Sequence, residues 1–422
     1  MSDEKLMASR RGFLTGTAAL LATAGSAAAA VPGAVHSDVM GGGGQDIHKT
    51  ELFWGKHQGG IATRQQTDSY FAAFDLVTEK VADVASLLQR WTEAAAHMTA
   101  GQPARTLSND PAQPPEDSGE ALSLPPARLT ITIGFGPGLF TKDGKDRYGL
   151  AAKRPEALVD LPSFPGDQLV PEHTGGDLSV HACADDPQVA FHAVRQLAAL
   201  ADGVAQLRWT QTGFAAGPAS KGTGRNLMGF KDGTINPTNL DQHVWVGSEG
   251  PGWMQGGSYL VTRRIRIALE HWDRTNVAFQ EQVVGRKKMS GAPIGGKDEF
   301  EPLNLSATDA DGNPLIPETS HVRLSAPEAN NGAQILRRAY SYNDGLNFTA
   351  ERWPPWRQGL EYDAGLFFMG YQRDVRQGFI PIHANLSRMD AMNQFITHVG
   401  GGLFAIPGGP AKGGYIGQGL FA

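Results

Sequence analysis

The order of elements expected along this 422-residue chain places it in the α+β class, with antiparallel sheets. Two observations predict this. Strand-like alternation and helix-like spacing follow one another as β-α-β-β-α-β, and the same order then runs a second time. Between these runs lie long connections rich in glycine and proline, which the chain holds in 53 and 26 copies.

In the first unit "SYFAAFDL" (69–76) reads as a strand, and "EKVADVASLLQRWTEAAAHM" (79–98) carries apolar residues at helical spacing. A Pro-rich stretch from Gln102 to Pro126 follows. "RLTITIGFG" (128–136) alternates as a strand does, and "DLSVHACA" (177–184) is another. "DDPQVAFHAVRQLAALADG" (185–203) opens on Asp-Pro and stops at Gly, as a helix should. "AQLRWTQTGF" (205–214) closes the unit. The second unit has a strand at 258–269, a helix at 273–285, strands at 334–342 and 365–374, a helix at 385–399 and a strand at 402–407. Two such units are the signature of ferredoxin-like modules. They divide the chain into 1–48, a leader and linker; 49–220, an N-terminal module; and 221–422, a C-terminal module. The segments at about 214–257 and 286–333 are long, and connections of that length usually carry function.

The N-terminus has its own pattern. Arg10 and Arg11 precede an apolar run from Phe13 to about Ala24, and small residues follow. This is the layout of a signal peptide, and the arginine pair followed by Gly-Phe-Leu is of the twin-arginine type. Export to a periplasm or to the exterior is expected. No later segment reads as membrane-spanning.

Hydrophobic residues make up 41% of the chain, enough for a full core, and the net charge of -6 argues against a nucleic-acid partner. The single cysteine, Cys183, excludes an intrachain disulfide, a cysteine-based metal cluster and covalent c-type haem attachment. No H-E-x-x-H or G-x-S-x-G motif occurs, and "DADGN" (309–313) is out of register for a calcium loop.

A few residues invite chemistry. Asp232 sits in "GFKDGTINP" (229–237), between turn-forming glycines; alone it reads as a turn residue. His321 lies at the edge of a long loop and alone reads as a structural histidine. Arg337 and Arg338 follow on a strand, where successive side chains point to opposite faces. A buried arginine needs a partner or an anionic ligand, but alternation does not choose between the two. "GLFFMGYQRD" (365–374) is a strand apolar on both faces until Gln372, ordinarily core. Asp374 ends it, as a solvated terminus or as a carboxylate that orients a histidine. Trp253, Trp353, Trp356, Tyr340, Tyr342 and Tyr371 are packing residues; in a redox protein one or two would relay electrons.

Together these stretches resemble the dye-decolourising peroxidase family of b-type haem enzymes, in its twin-arginine-exported subgroup that includes deferrochelatases. The resemblance rests on "GFKDGTINP", "KHQGGI" (56–61), "LTITIGFGPGLF" (129–140), "CADDPQVAFHAVRQL" (183–197), "GRKKMSGAPIGG" (285–296), "SHVRLSAP" (320–327) and "ILRRAYSY" (335–342). It runs from about residue 52 to the C-terminus. It implies two ferredoxin-like domains of the dimeric α+β barrel type and a non-covalent haem b, with homo-oligomerisation left open. It makes His321 the proximal ligand to the haem iron, Asp232 the distal acid and Arg337 the distal arginine. Leu366 and Phe368 become the apolar pair on the distal face. Asp374 becomes the carboxylate bonded to the proximal histidine, and Arg286 a contact to a haem propionate.

The implied activity is oxidation of bulky organic donors, dyes or phenolics, by hydrogen peroxide through a ferryl intermediate. Asp232 would carry a proton from one peroxide oxygen to the other, and Arg337 would stabilise the developing charge. A carboxylate shuttle works below the range of a histidine one, so activity is expected in mild acid. Two alternatives stand beside this: release of iron from haem with the porphyrin intact, and a haem carrier without turnover.

Overall fold

The computed structural model describes residues 46–108, 110–216, 222–350 and 358–422. The signal-like segment and Trp353 and Trp356 fall outside them. The described residues belong to one compact unit, in which one antiparallel sheet of nine strands runs through both halves of the chain.

The first half follows its predicted order closely. It runs β1 (Asp68–Leu76), α1 (Val81–Thr99), β2 (Thr130–Phe135), β3 (Leu178–Ala184), α2 (Pro187–Leu200) and β4 (Ala205–Phe214). Helix α1 buries Val84, Leu87, Leu88, Trp91 and Ala95, one stripe at helical spacing. Trp91 packs 5.2 Å from Phe74 of β1, ring to ring. Its indole nitrogen donates to Leu197 O at 2.7 Å, which ties α1 to α2. Helix α2 starts where it does because the Asp186 side chain accepts from the backbone nitrogens of Gln188 and Val189, and Pro187 sits at the first position.

The second half contains two short helical turns, α3 (Leu240–His243) and α4 (Leu269–Asp273), on either side of β5 (Ser258–Ile267). Then come α5 (Val277–Val284), α6 (His321–Ser325), β6 (Leu336–Arg337), β7 (Tyr340–Ala350), β8 (Gln358–Gln372), α7 (Phe379–Met389) and β9 (Ile396–Ile406). Here the expected boundaries move. The helix expected at 385–399 is α7, which starts six residues earlier and ends at Met389. The missing amide of Pro381 falls in the first turn, where no intrahelical bond is lost, and the Gln372 side chain accepts from Phe379 N. Asp390 ends the helix and caps the next turn by accepting from Met392 N at 2.8 Å. The β-branched "ITHV" that follows belongs to β9. The strand expected at 334–342 is broken between β6 and β7.

Pairing gives both halves the same strand order. The first runs β2-β3-β1-β4; the second runs β6 and β7 on one edge of β8, then β8-β5-β9. Both read second, third, first, fourth. Because β5 pairs with both β8 and β9, the sheet closes into a barrel. The joins between halves are narrow: Phe135 opposite Ala405, and Phe214 opposite Ser341. Side chains bridge the halves more broadly, with Phe71 of β1 against Phe367 and Phe404 at 5.3 and 5.8 Å.

Strand β8 alternates cleanly. Phe367, Met369 and Tyr371 are fully buried with Phe71, Tyr340 and Phe404 in the barrel cluster. Leu366 and Phe368 point the other way, into a cavity on the outer side of the sheet covered by α6, α7 and the long loops.

Candidate active site

The cavity brings together almost every residue singled out in the sequence. Asp232, Arg286, His321, Arg337, Leu366 and Phe368 all line it. It holds a deep apolar wall, with Ile265 and Ile267 of β5 beside Leu366 and Phe368 of β8.

His321 opens α6. Its Nδ1 lies 2.6 Å from Asp390 Oδ2, and the Asp390 side chain is 1% exposed. Burial pushes the imidazole down in pKa, but the charge of Asp390 and its hydrogen bond prevail, and the net direction is up. The bond fixes the tautomer with Nδ1 protonated, which leaves Nε2 as a lone-pair donor towards the cavity.

Asp374 does not take this part. Its carboxylate accepts from Arg376, with Nη2 to Oδ2 at 2.7 Å, and it lines a separate surface depression with Arg154 and Gln377. The expectation failed because Asp374 lies in the turn between β8 and α7, where its carboxylate is taken by Arg376 two residues on. Asp390, at the end of α7, is the acid that α6 packs against. Asp390 was not visible as a site residue from the sequence; it has two duties, Oδ1 accepting from Met392 N and Oδ2 bonded to His321.

The opposite wall is the loop of "GFKDGTINP". Gly229 and Gly233 have φ of 82° and 95°, values that favour glycine. The turn therefore does what the sequence implied, and it projects Asp232. Arg337 Nη1 donates to Asp232 Oδ1 at 3.0 Å, and Asn226 Nδ2 to Oδ2 at 3.3 Å. The loop is stitched to β6 by Asn236, whose Oδ1 accepts from Arg337 N at 2.9 Å and whose Nδ2 donates to Arg337 O at 3.2 Å. The acid–arginine pair is thus held by backbone as well as by charge. Both side chains keep about a quarter to a third of their surface open, at 26% and 31%. The charges of Asp232 and Arg337 both act on His321.

The two neighbouring arginines part as strand geometry requires. Arg337 faces the cavity; Arg338 is 4% exposed and donates to Thr63 O and Gln66 Oε1, with Cys183, Tyr340 and Tyr371 around it.

Glu299 was not visible as a site residue from the sequence. It anchors the Asp232 loop: Oε1 accepts from Thr223 N at 3.0 Å and from Thr234 Oγ1 at 3.2 Å, and Oε2 pairs with Lys231. Burial pushes its carboxyl up, but the bonds from Lys231 and Thr223 pull it down to about 2. A depressed pKa gives stability that is complete above the usual glutamate range and is lost only as pH falls through the depressed value. The anchor therefore holds throughout mild acid. Glu299→Gln removes the charge that holds Lys231, and the expected result is a peroxide reaction slowed by up to about 100-fold through misplacement of Asp232. Stopped-flow mixing with peroxide measures it; a variant of unchanged rate would show the loop needs no anchor.

A flat macrocycle with acidic groups fits the cavity. Arg286 is 5% exposed; its Nη1 donates to Gly291 O and Glu299 O, while its buried Nη2 has no partner among the described residues. An unpaired buried guanidinium nitrogen beside the cavity is a ready contact for a carboxylate. Apolar walls, an imidazole backed by a buried acid and an acid–arginine pair are side chains of the kinds that hold haem iron and leave one side open.

The fold is an antiparallel barrel with helices outside it, and one cavity holds both an acid–arginine pair and an acid-backed histidine. Two family models match, described as "Dyp-type peroxidase, N-terminal" over residues 58–215 and "Dyp-type peroxidase, C-terminal" over residues 223–411. The chain belongs to the Dyp-type peroxidase family. It is 42% identical over 349 residues to a dye-decolorizing peroxidase of Thermobifida fusca, covering 80% of this chain and 75% of that one. It is 34% identical over 388 residues to a deferrochelatase of Escherichia coli K12, covering 88% of each. Among solved structures, the oxyferrous complex of DtpA from Streptomyces lividans is similar at 39% identity and a TM-score of 0.80, covering 89% of this chain and 98% of that one. A DyP-type peroxidase from Streptomyces coelicolor matches at 40% identity with the same TM-score and coverage.

Proposed function

We propose that this peroxidase binds haem b non-covalently, with His321 as the iron ligand, and uses hydrogen peroxide to oxidise bulky organic donors. The observation that carries the reading is the pairing of Asp232 with Arg337 on one wall and of His321 with Asp390 on the other. When bound, haem supplies the redox centre at which the oxygen–oxygen bond is cleaved. Asp232 accepts the proton that peroxide loses and returns it to the departing oxygen. Arg337 stabilises negative charge as that bond stretches, and Asn236 keeps both groups in register. Asp390 keeps the His321 ring oriented and makes it a stronger donor. Leu366 and Phe368 narrow the wall, so a bulky donor is oxidised at the edge of the site. Arg286 Nη2 is the contact for a haem propionate.

We read the two halves as ferredoxin-like modules on the strength of their shared strand order. Among the described residues no helix is long and apolar enough to cross a membrane. Export by the twin-arginine route rests on Arg10 and Arg11 and the apolar run after them.

The relatives support a second reading, removal of iron from haem. The haem-loaded protein with peroxide and an anthraquinone dye should bleach the dye. With a reductant and no peroxide it should give no fluorescence of metal-free porphyrin. Porphyrin released without peroxide, together with an unbleached dye, would overturn the peroxidase reading in favour of iron removal.

A further inference from the structure

A second cluster of ligating side chains borders the cavity away from the acid–arginine pair. Asp167, in the loop before β3, His383 of α7 and His398 of β9 each place a ligand atom within 4.8 Å of the others. One atom of each is buried without any hydrogen-bond partner among the described residues: Asp167 Oδ1, His383 Nε2 and His398 Nδ1. Buried polar atoms are normally satisfied; three orphans on three clustered residues from three segments call for an occupant that accepts lone pairs.

The surroundings hold these groups in place. Backbone bonds from Gln168 N to His398 O and from Val170 N to Val399 O, both 2.9 Å, fix the Asp167 loop along β9. His383 is stacked on Phe379 at 4.9 Å and meets Phe164 edge-on at 4.4 Å. Arg263 Nη1 donates to Asp167 Oδ2 at 3.1 Å, which leaves Oδ1 as the free oxygen and orients the carboxylate as an outer-shell partner does.

We propose that Asp167, His383 and His398 form a binding site for a divalent transition-metal ion of the imidazole-preferring kind, such as zinc, at the cavity wall. Two imidazoles and one carboxylate are a common three-ligand zinc set, with a fourth position left for water or a ligand from the cavity. Zinc ligands about 2.0–2.2 Å from the ion lie about 3.3–3.5 Å apart at tetrahedral angles, so the trio closes by a small turn of the rings. Burial, and then nearby charge, keeps both imidazoles in the neutral form that ligates, His383 down to about 3 and His398 well below its usual value. The Arg263 charge works against a cation and lowers the affinity. The other acid–histidine trio, Asp117, Glu120 and His192, also holds atoms without hydrogen-bond partners, Glu120 Oε1 and His192 Nδ1, but there each ring nitrogen lies 3.4 Å from a carboxylate oxygen and Arg195 stands 3.3 Å from Glu120, so charge pairing already occupies the site.

The test is equilibrium dialysis of the haem-loaded protein against zinc chloride, followed by elemental analysis. One zinc per chain is expected, with affinity about tenfold or more weaker in His383→Gln and in His398→Gln and unchanged in His192→Gln. Anomalous scattering at the zinc edge from wild-type crystals should give a peak among the three side chains, a readout independent of any variant's folding. No retained zinc, equal retention in the His383 and His398 variants, or a peak elsewhere would overturn the proposal. So would zinc taken up by the apoprotein and expelled on haem loading, since the nitrogens would then serve the haem.

Discussion

Asp232→Ala is expected to slow the reaction of the haem-loaded protein with hydrogen peroxide by about 100- to 10,000-fold, the usual weight of a positioned acid–base group. The structure gives this residue two properties that a turn former does not need. Its carboxylate faces an apolar cavity, and one of its oxygens accepts from Arg337 Nη1 at 3.0 Å. Removing it takes away the proton acceptor and leaves the Arg337 charge unpaired. Asp232→Asn separates these effects, because it keeps the shape and removes only the ionisable group. Arg337→Leu should cost about 100- to 1,000-fold by loss of charge stabilisation. The double variant should lose less than the product of the two, since residues that act as a unit are not additive. Stopped-flow absorbance of the Soret band measures all of these. An Asp232→Ala protein that reacts at the wild-type rate would end the shuttle mechanism and favour a haem carrier.

His321→Ala is expected to remove the Soret band of the purified protein, or to leave a weakly bound haem with a changed spectrum. His321 is the residue in the cavity whose second nitrogen is held by a buried acid, and no other cavity-lining histidine has such a partner among the described residues. The partner is testable too. Asp390→Asn removes the acid that orients the ring, and a change of that kind typically costs about 10- to 100-fold in metal affinity. Asp374→Asn should leave haem binding untouched, because Asp374 is spent on Arg376. A Soret band retained unchanged in His321→Ala would remove His321 as the ligand, and a shift on Asp374→Asn without one on Asp390→Asn would contradict the geometry.

Strands β1 to β4 and their two helices were legible because each is bounded by a local signal: alternation for the strands, Asp186-Pro187 at the head of α2, glycine after it. Around α7 the local signals conflict. Pro381 discourages a helix that its position in the first turn permits, and helical spacing continues past Asp390 into residues that the sheet captures. Tertiary pairing of β9 with β5 decides the matter, and no window of sequence contains it. The site divides in the same way. Asp232, His321, Arg286, Leu366 and Phe368 stand in stretches whose resemblance to a family is local, and all line one cavity. Arg337 belongs with them: alternation alone could not choose it over Arg338, the resemblance did, and Arg337 lines the cavity. Asp390 needed to be found 69 positions from its histidine, and Glu299 acts through a loop that is distant in sequence. Contacts of that range leave no periodic trace.

Strand β8 is a party wall, with Leu366 and Phe368 papering one room and Phe367, Met369 and Tyr371 the other. A wall of this kind ties the fate of the two rooms. Loss or gain of a single residue between 366 and 371 would turn each side chain about, sending the cavity's lining into the barrel and the barrel's aromatics into the cavity. Descendants of this chain can therefore reshape the pocket by exchanging residues in place, but length changes in that stretch survive only in pairs. The freedom to acquire new donors lies in the loops, where insertions leave both rooms standing.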